Sequence, residues 1–240
     1  MSDTPTAGAW QQEGLVHDFL RDRRRLLPLL DVQEALIETA FRRHARPVER
    51  FLDIGAGAGA MSELLLGVHP DAEAVLVDYS EPMLAQAGER LGGARWQAAR
   101  ADLRDPSWSQ ALRAGSYDAA VSSYAIHHLP AERKQALYAE LFELLAPGAM
   151  FVNLDFVLIH GPLAGLFDEQ MVLNAAAIEH DHGGTRSHEQ VERDMLADAG
   201  DDQPDSAEDQ LRWLRDAGFE AVELHFKWAE AAILGAVKPN

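Results

Sequence analysis

Ten consecutive residues, Phe51 to Ala60 (FLDIGAGAGA), constrain this 240-residue chain more than any other stretch. A short, mostly apolar run leads directly into Gly55, Gly57 and Gly59, and the next segment carries Met61, Leu64 and Leu65 at helical spacing. A chain that passes so abruptly from strand to helix needs backbone conformations that glycine adopts at little cost. The expectation is a strand, a tight turn and a helix, the opening of a βαβ unit.

The rhythm then repeats. Ala74 to Val77 is an unbroken apolar run, as expected of a strand covered on both faces, and Asp78 ends it. Ser80 is placed to cap a helix carrying Met83, Leu84, Ala87 and Leu91, with Pro82 tolerated in its first turn and Gly92-Gly93 as its stop. A short strand near Trp96, a fourth at Tyr117 to Ser122 and a fifth at Met150 to Leu154 follow. Leu137, Leu141, Leu144 and Leu145 mark a helix expected to run to Pro147-Gly148. Ahead of these units, Gly8 to Arg46 read as helices broken near Pro28, the second introduced by an Asp31/Glu34 capping box with Val32, Leu36, Ala40 and Phe41 on one face. Residues 156–205 interrupt the pattern with Gly161-Pro162, Gly183-Gly184 and many acids, and read as an insertion. Order returns with a second capping box at Ser206 and Asp209, a helix with Leu211 and Leu214 on one face and Gly218 just past its end. The strand-like segments Ala221 to Phe226 and Ala231 to Val237 then lie too close together for anything but an antiparallel hairpin. Residues 1–46 are therefore expected to form an amino-terminal helical lid, and 47–240 one α/β domain whose insertion caps it.

The glycines alone also satisfy the loose dinucleotide pattern, so their neighbours decide. Asp78 stands 19 residues beyond Gly59 at a strand end, where a carboxylate can accept both hydroxyl hydrogens of a ribose. Asp53, two residues before Gly55, would repel a pyrophosphate and attract an ammonium or sulfonium. Asp102, in the turn after the third strand, is placed to accept from an amino group such as that of adenine.

In this order FLDIGAGAGA, VLVDYSEPML, ARADLRD, YDAAVSSYAIHHLP and LFELLAPGAM resemble the motif series of the class I S-adenosylmethionine-dependent methyltransferases, from about Arg50 to Leu154 and again in the closing helix and hairpin. The resemblance implies a Rossmann-like three-layer α/β sandwich, its seven-stranded sheet mostly parallel with an antiparallel last strand. S-adenosyl-L-methionine is the implied cofactor. Asp53, Gly55, Gly57 and Gly59 would contact its methionine moiety, Asp78 its ribose, and Tyr79 and Met83 would flank its adenine. Asp102 would bond the adenine amino group, the Leu103 amide a ring nitrogen, and the Ser122 carbonyl the cofactor amine. The layout is also similar to that of the carboxy-S-adenosylmethionine synthases, whose carboxylate-binding arginine has no assigned counterpart here. A cofactor-binding subunit without catalysis and, more weakly, an oxidoreductase are further readings of the same fold.

Methyl transfer from a sulfonium needs alignment and, for a hydroxyl or cationic amine, removal of a proton. His127, following the fourth strand at the carboxyl end of the sheet, is the candidate base, and its place is similar to that of the catalytic histidine of plant-type O-methyltransferases. The other reading has His127 and His128 packing or capping the next helix. His180, His182 and His188 beside Asp181 and Glu189 match no closed metal motif, so no metal is assigned and these side chains read as metal ligands, substrate contacts or a solvated loop. Arg21, Arg23, Arg24, Arg25, Arg42, Arg43, Arg46 and Arg50 read as a solvated helix face or an anionic-substrate contact, and Trp10, His17 and Phe19 as lid or anchor residues.

Composition narrows the partners. With 21 Lys and Arg against 39 Asp and Glu, the net charge of −18 disfavours broad nucleic-acid or anionic-membrane footprints. The chain has no Cys, hence no disulfide framework or thiolate metal site, and its apolar runs are strand-sized. MSDTPTAG lacks the marks of a signal peptide, so a cytoplasmic setting is expected. The expected partner is a small-molecule acceptor of oxygen or nitrogen type, and a homodimer is left open.

Overall fold

A computed structural model describes residues 11, 13–198 and 202–240. Its elements are α1 (Glu13–Leu26), α2 (Leu30–Arg43), β1 (Arg50–Ile54), α3 (Ala60–Val68), β2 (Glu73–Asp78), α4 (Glu81–Leu91), β3 (Trp96–Arg100) and β4 (Tyr117–Ser123), then α5 (Ala131–Leu144), β5 (Leu145–Phe156), α6 (Leu166–Asp181), α7 (His188–Asp198), α8 (Ala207–Asp216), β6 (Glu220–Trp228) and β7 (Ala231–Val237). Trp10 and the first residues of the expected amino-terminal helix lie outside the described residues.

The seven strands form one sheet in the order β3-β2-β1-β4-β5-β7-β6. Neighbours from β3 through β5 are parallel, while β7 runs antiparallel between β5 and β6. Alternating side chains of the central strands serve two cores. Leu52, Ile54, Val75, Val77 and Ala120 pack with α5 and α8 on one face, and Phe51, Ala74, Leu76 and Val121 pack with α2, α3 and α4 on the other. Coverage on both faces is why these strands read as continuous apolar runs, each large side chain contributing about 1.5–3 kcal/mol on burial.

Three local readings are corrected. α2 has no capping box: Leu29, in a left-handed conformation, precedes it, and Glu34 instead bonds Arg23 and Arg24. Its inward face carries Leu30, Gln33, Glu34, Ile37 and Phe41, leaving Val32 at 48% and Leu36 at 39% exposure. Two polar residues go inside because each finds partners, Gln33 donating to the Pro28 carbonyl and accepting from the Tyr124 hydroxyl. Lastly, α5 stops at Leu144, before Pro147-Gly148, and β5 begins at once. A proline pushes the residue before it out of helical conformation, and the pairing of β4 with β5 shifts register between Tyr117 and Ala119 to absorb the extra residues.

The insertion contributes α6 and α7, and α6 meets α1 above the carboxyl ends of the parallel strands. Leu27, Leu30 and Phe167 pack there with Ala231. Arg25 pairs with Asp181 across the two helices at 2.5 Å, and Asn174 donates to the Leu26 carbonyl.

Candidate active site

The carboxyl ends of β1, β2 and β4 enclose the glycine turn. Gly55, Gly57 and Gly59 all have left-handed φ angles of 65°, 49° and 72°, and Gly59 introduces α3. The Gly55 and Ala56 amides donate to the Val77 carbonyl, anchoring the turn to β2. A side chain on Gly55 would run into Ala125, so this turn and the one after β4 approach as backbones can only with glycine. Two carboxylates flank the turn. Asp53, wholly buried, accepts from the Ser62 amide at 3.0 Å and its hydroxyl at 2.7 Å. Burial pushes its carboxyl up to about 7, despite the Ser62 bonds and the positive charge of Arg23. Asp78 accepts from the Gly57 amide at 2.7 Å and the Ser80 amide at 2.8 Å, and burial raises it too. Asp78 thus ties the glycine turn to the start of α4, where Ser80 caps by accepting from the Met83 amide.

Around this cradle stand the remaining sequence-assigned positions. Met83 is buried against Ala58, with Leu20 of α1 packed on both. Ser122 lies buried at the end of β4, its hydroxyl donating to the Ile54 carbonyl. Asp102 is held by Arg104 through both carboxylate oxygens; partial burial raises its carboxyl, but these bonds win and hold it below the usual range. The Arg104 guanidinium also lies 5.6 Å from the Tyr79 ring centroid, so Tyr79 and Asp102 are brought to one rim through an arginine the sequence reading did not assign. Leu103 is buried beside them, its carbonyl accepting from Arg133 Nε at 2.6 Å, and Arg133 is fixed by Glu140.

At the end of β4 a short 3-10 turn, Ile126–His128, carries His127, which is only 3% exposed. The Asp155 carboxylate accepts from the His127 amide at 2.9 Å and meets Nδ1 at 2.5 Å. From the insertion, Asp202 lies 3.4 Å from His127 Nε2 and 3.0 Å from His128 Nδ1. Burial alone would lower the imidazole, but the two carboxylates outweigh it and push His127 up to about 9. Neither acid was assigned from sequence. Asp155 had a signal, a lone carboxylate in the apolar run of β5; Asp202, amid many acids, had none.

Among the described residues, His180, His182 and His188 form no group of metal-ligand spacing. His182 lies near Asp22 and Arg21, joining α6 to α1. The amino-terminal arginines are mostly engaged: Arg23 and Arg24 with Glu34, Arg42 with Glu38, Arg46 with Asp118 and Arg50 with Glu73. His17 is exposed, and the side chain of Phe19 falls outside what is described.

Residues 52–151 match a family model described as a methyltransferase domain. The chain is 26% identical over 183 residues to a malonyl-[acyl-carrier protein] O-methyltransferase of Anoxybacillus flavithermus, covering 68% of this chain and 66% of that protein. It is 33% identical over 108 residues to a demethylmenaquinone methyltransferase of Thermus thermophilus, covering 45% and 47%. In fold it is similar to human N-acetylserotonin methyltransferase solved with S-adenosylmethionine, with a TM-score of 0.65, 16% identity, and coverage of 98% of this chain and 59% of that one. The chain thus spans two thirds or less of the length of these proteins.

Proposed function

We propose that this chain, whose residues 52–151 match a methyltransferase-domain family model, is a class I S-adenosylmethionine-dependent methyltransferase that carries a methyl group from S-adenosylmethionine to a small-molecule acceptor held beside His127. The observation that supports this most is the placing of two buried carboxylates, Asp53 and Asp78, on either side of a glycine turn one strand away from the His127–Asp155 pair. A cradle of this chemistry suits a cation that also carries hydroxyls, and it is poorly suited to a pyrophosphate.

S-adenosylmethionine supplies a methyl group on an electron-poor sulfonium; the rest falls to the chain. Asp53 offers negative charge to the methionine end of the cradle, and Asp78, already orienting the Gly57 amide, offers its remaining lone pairs to the ribose. Tyr79, Met83, Asp102 and Leu103 form the adenine rim, with Arg133 fixing the turn that bears Leu103. Ser122 closes the floor. α1, whose Leu20 lies on Ala58 and Met83, serves as the lid, and residues 156–205 as the cap that keeps water out. His127 is the proton acceptor. Asp155 fixes its ring through Nδ1 and leaves Nε2 facing Asp202. An acceptor that displaces Asp202 would also remove one of the two carboxylates that hold His127 protonated, so that Nε2 could lose its proton to solvent and then take the acceptor's hydroxyl or ammonium proton while the methyl group passes from sulfur to the acceptor. Oxygen and nitrogen acceptors both suit this arrangement.

Calorimetric titration with S-adenosylmethionine, S-adenosylhomocysteine and NADH tests the cofactor. Micromolar binding of the adenosyl compounds, weakened by Asp78→Asn, is expected, and binding of NADH alone would overturn the reading. In an acceptor screen His127→Ala should lower turnover by about 10²-fold or more while cofactor affinity is unchanged. Full turnover in that variant would remove His127 from the mechanism.

A further inference from the structure

We propose that His127 Nε2, His128 Nδ1 and a carboxylate oxygen of Asp202 form a binding site for a divalent transition-metal ion, zinc fitting best, that clamps the end of the insertion onto the turn after β4. The three ligand atoms lie within 4.8 Å of one another, and among the described residues no other trio of histidines and acids is so gathered. The Asp202 oxygen is 3.4 Å from one ring nitrogen and 3.0 Å from the other. Bonds of about 2.0–2.1 Å to a tetrahedral metal set its ligands about 3.4 Å apart, close to the two separations from Asp202, while the two ring nitrogens, within 4.8 Å of each other, would adjust to the same spacing. Two imidazoles and one carboxylate favour zinc, nickel or copper over magnesium or calcium, and three protein ligands leave one position for water.

The surroundings complete the site. Asp155 accepts from Nδ1 of His127, so Nε2 is the nitrogen offered, the carboxylate–histidine arrangement that orients metal-bound imidazoles. Asp202 is delivered by backbone that is itself anchored. The Gln203 amide donates to the His127 carbonyl at 2.9 Å, and the wholly buried Lys134 reaches the Gln203 carbonyl and, at 2.6 Å, Asp205. Without metal, the Asp202 carboxylate meets both rings by hydrogen bonding; with metal, the ion takes the place of the shared proton, which is released to solvent. This has a functional consequence, which rests on the reading proposed above: with Nε2 ligated, His127 accepts no proton and the cap stays down, so the loaded protein is closed and idle.

Metal binding can be measured without turnover. The full chain, freed of metal by dialysis, is titrated with zinc chloride and with magnesium chloride, and with cobalt(II) followed by visible absorption. One zinc per chain at micromolar or tighter affinity, no magnesium binding and an intense cobalt band of four-coordinate type are expected. Asp202→Asn and His128→Ala should each weaken zinc by about tenfold or more, whereas His182→Ala should not. Absence of zinc binding, or binding that survives both Asp202→Asn and His128→Ala, overturns the site. S-adenosylhomocysteine titration of the same variants checks that the cradle is intact. Zinc bound as described by a protein that fails to bind the adenosyl compounds would overturn the methyl-transfer reading and leave the site standing.

Discussion

At the scale of single residues, the cradle is governed by Asp53. Its carboxyl, normally near 3.8, rises to about 7 because it is buried, and the two Ser62 bonds offset only part of that cost. A raised pKa means that Asp53 favours the fold most below about pH 4, and that this contribution is lost as pH climbs through about 7. A sulfonium or ammonium docked beside the carboxylate reverses the balance by favouring the charged form. Binding of S-adenosylmethionine near pH 6 should therefore release between about half and one proton, seen as a dependence of the apparent enthalpy on the ionisation enthalpy of the buffer. Asp53→Asn should release none. A wild-type enthalpy that is the same in every buffer would show that no cation docks there. Residues of this kind were legible in the sequence because type and spacing identify them: Asp53 before the glycines, Asp78 at a strand end, His127 after β4. Asp155, Asp202 and Arg104 were not, since each acquires its role from a partner brought close only by folding.

At the scale of elements, the same contrast appears in helix starts. Asp31/Glu34 and Ser206/Asp209 look alike as sequence, yet only the second pair caps. Ser206 accepts from the Asp209 amide at 3.0 Å, whereas Asp31 sits inside the first turn of α2 and pairs with Arg24 at the surface. What separates them is the preceding chain: the left-handed Leu29 starts α2 two residues earlier than the pattern implies, and Glu34 is drawn inward by Arg23. Ser206→Ala should cost about 1 kcal/mol, roughly a 2–4 °C fall in Tm for a chain of this size. Asp31→Ala, losing only an exposed ion pair, should shift stability by less than about 0.5 kcal/mol in thermal or urea unfolding. Equal losses in the two variants would mean that Asp31 does cap. The glycine turn offers a harsher case. Gly55→Ala adds a left-handed alanine, worth about 1–2 kcal/mol, to a collision with Ala125, and the larger fall in Tm should come with loss of adenosyl-ligand binding. The strands and the closing hairpin were legible from apolar runs and short connections, and the mostly parallel sheet with its antiparallel last strand from the resemblance. The helices of the insertion were not, because α6 is held by its contacts with α1 and α7 by its contacts with α6, with no strong pattern of their own.

For the whole molecule, charge sets two opposite responses to salt. The surplus of 39 acids over 21 Lys and Arg makes the folded chain repel itself, and repulsion between exposed groups is screened over about 10 Å at 0.1 M salt. Several pairs that lock the core against this are buried on one or both sides and screened less: Arg133 with Glu140, Lys134 with Asp205, His127 with Asp155. Global stability should therefore rise as sodium chloride increases from about 20 to about 500 mM, measured as Tm at neutral pH. The join between α1 and the insertion behaves differently. Arg25 with Asp181 is exposed on both sides, and His182 with Asp22 and Arg21 lies at the same surface, so salt weakens these attractions directly. Amide hydrogen exchange should accordingly become faster in α1 and the adjoining part of α6 over the range in which Tm increases, while β1, β2 and β4 become slower to exchange. Parallel changes in both regions would show that α1 opens only when the whole domain unfolds, and that it is part of the core rather than a lid over the glycine turn.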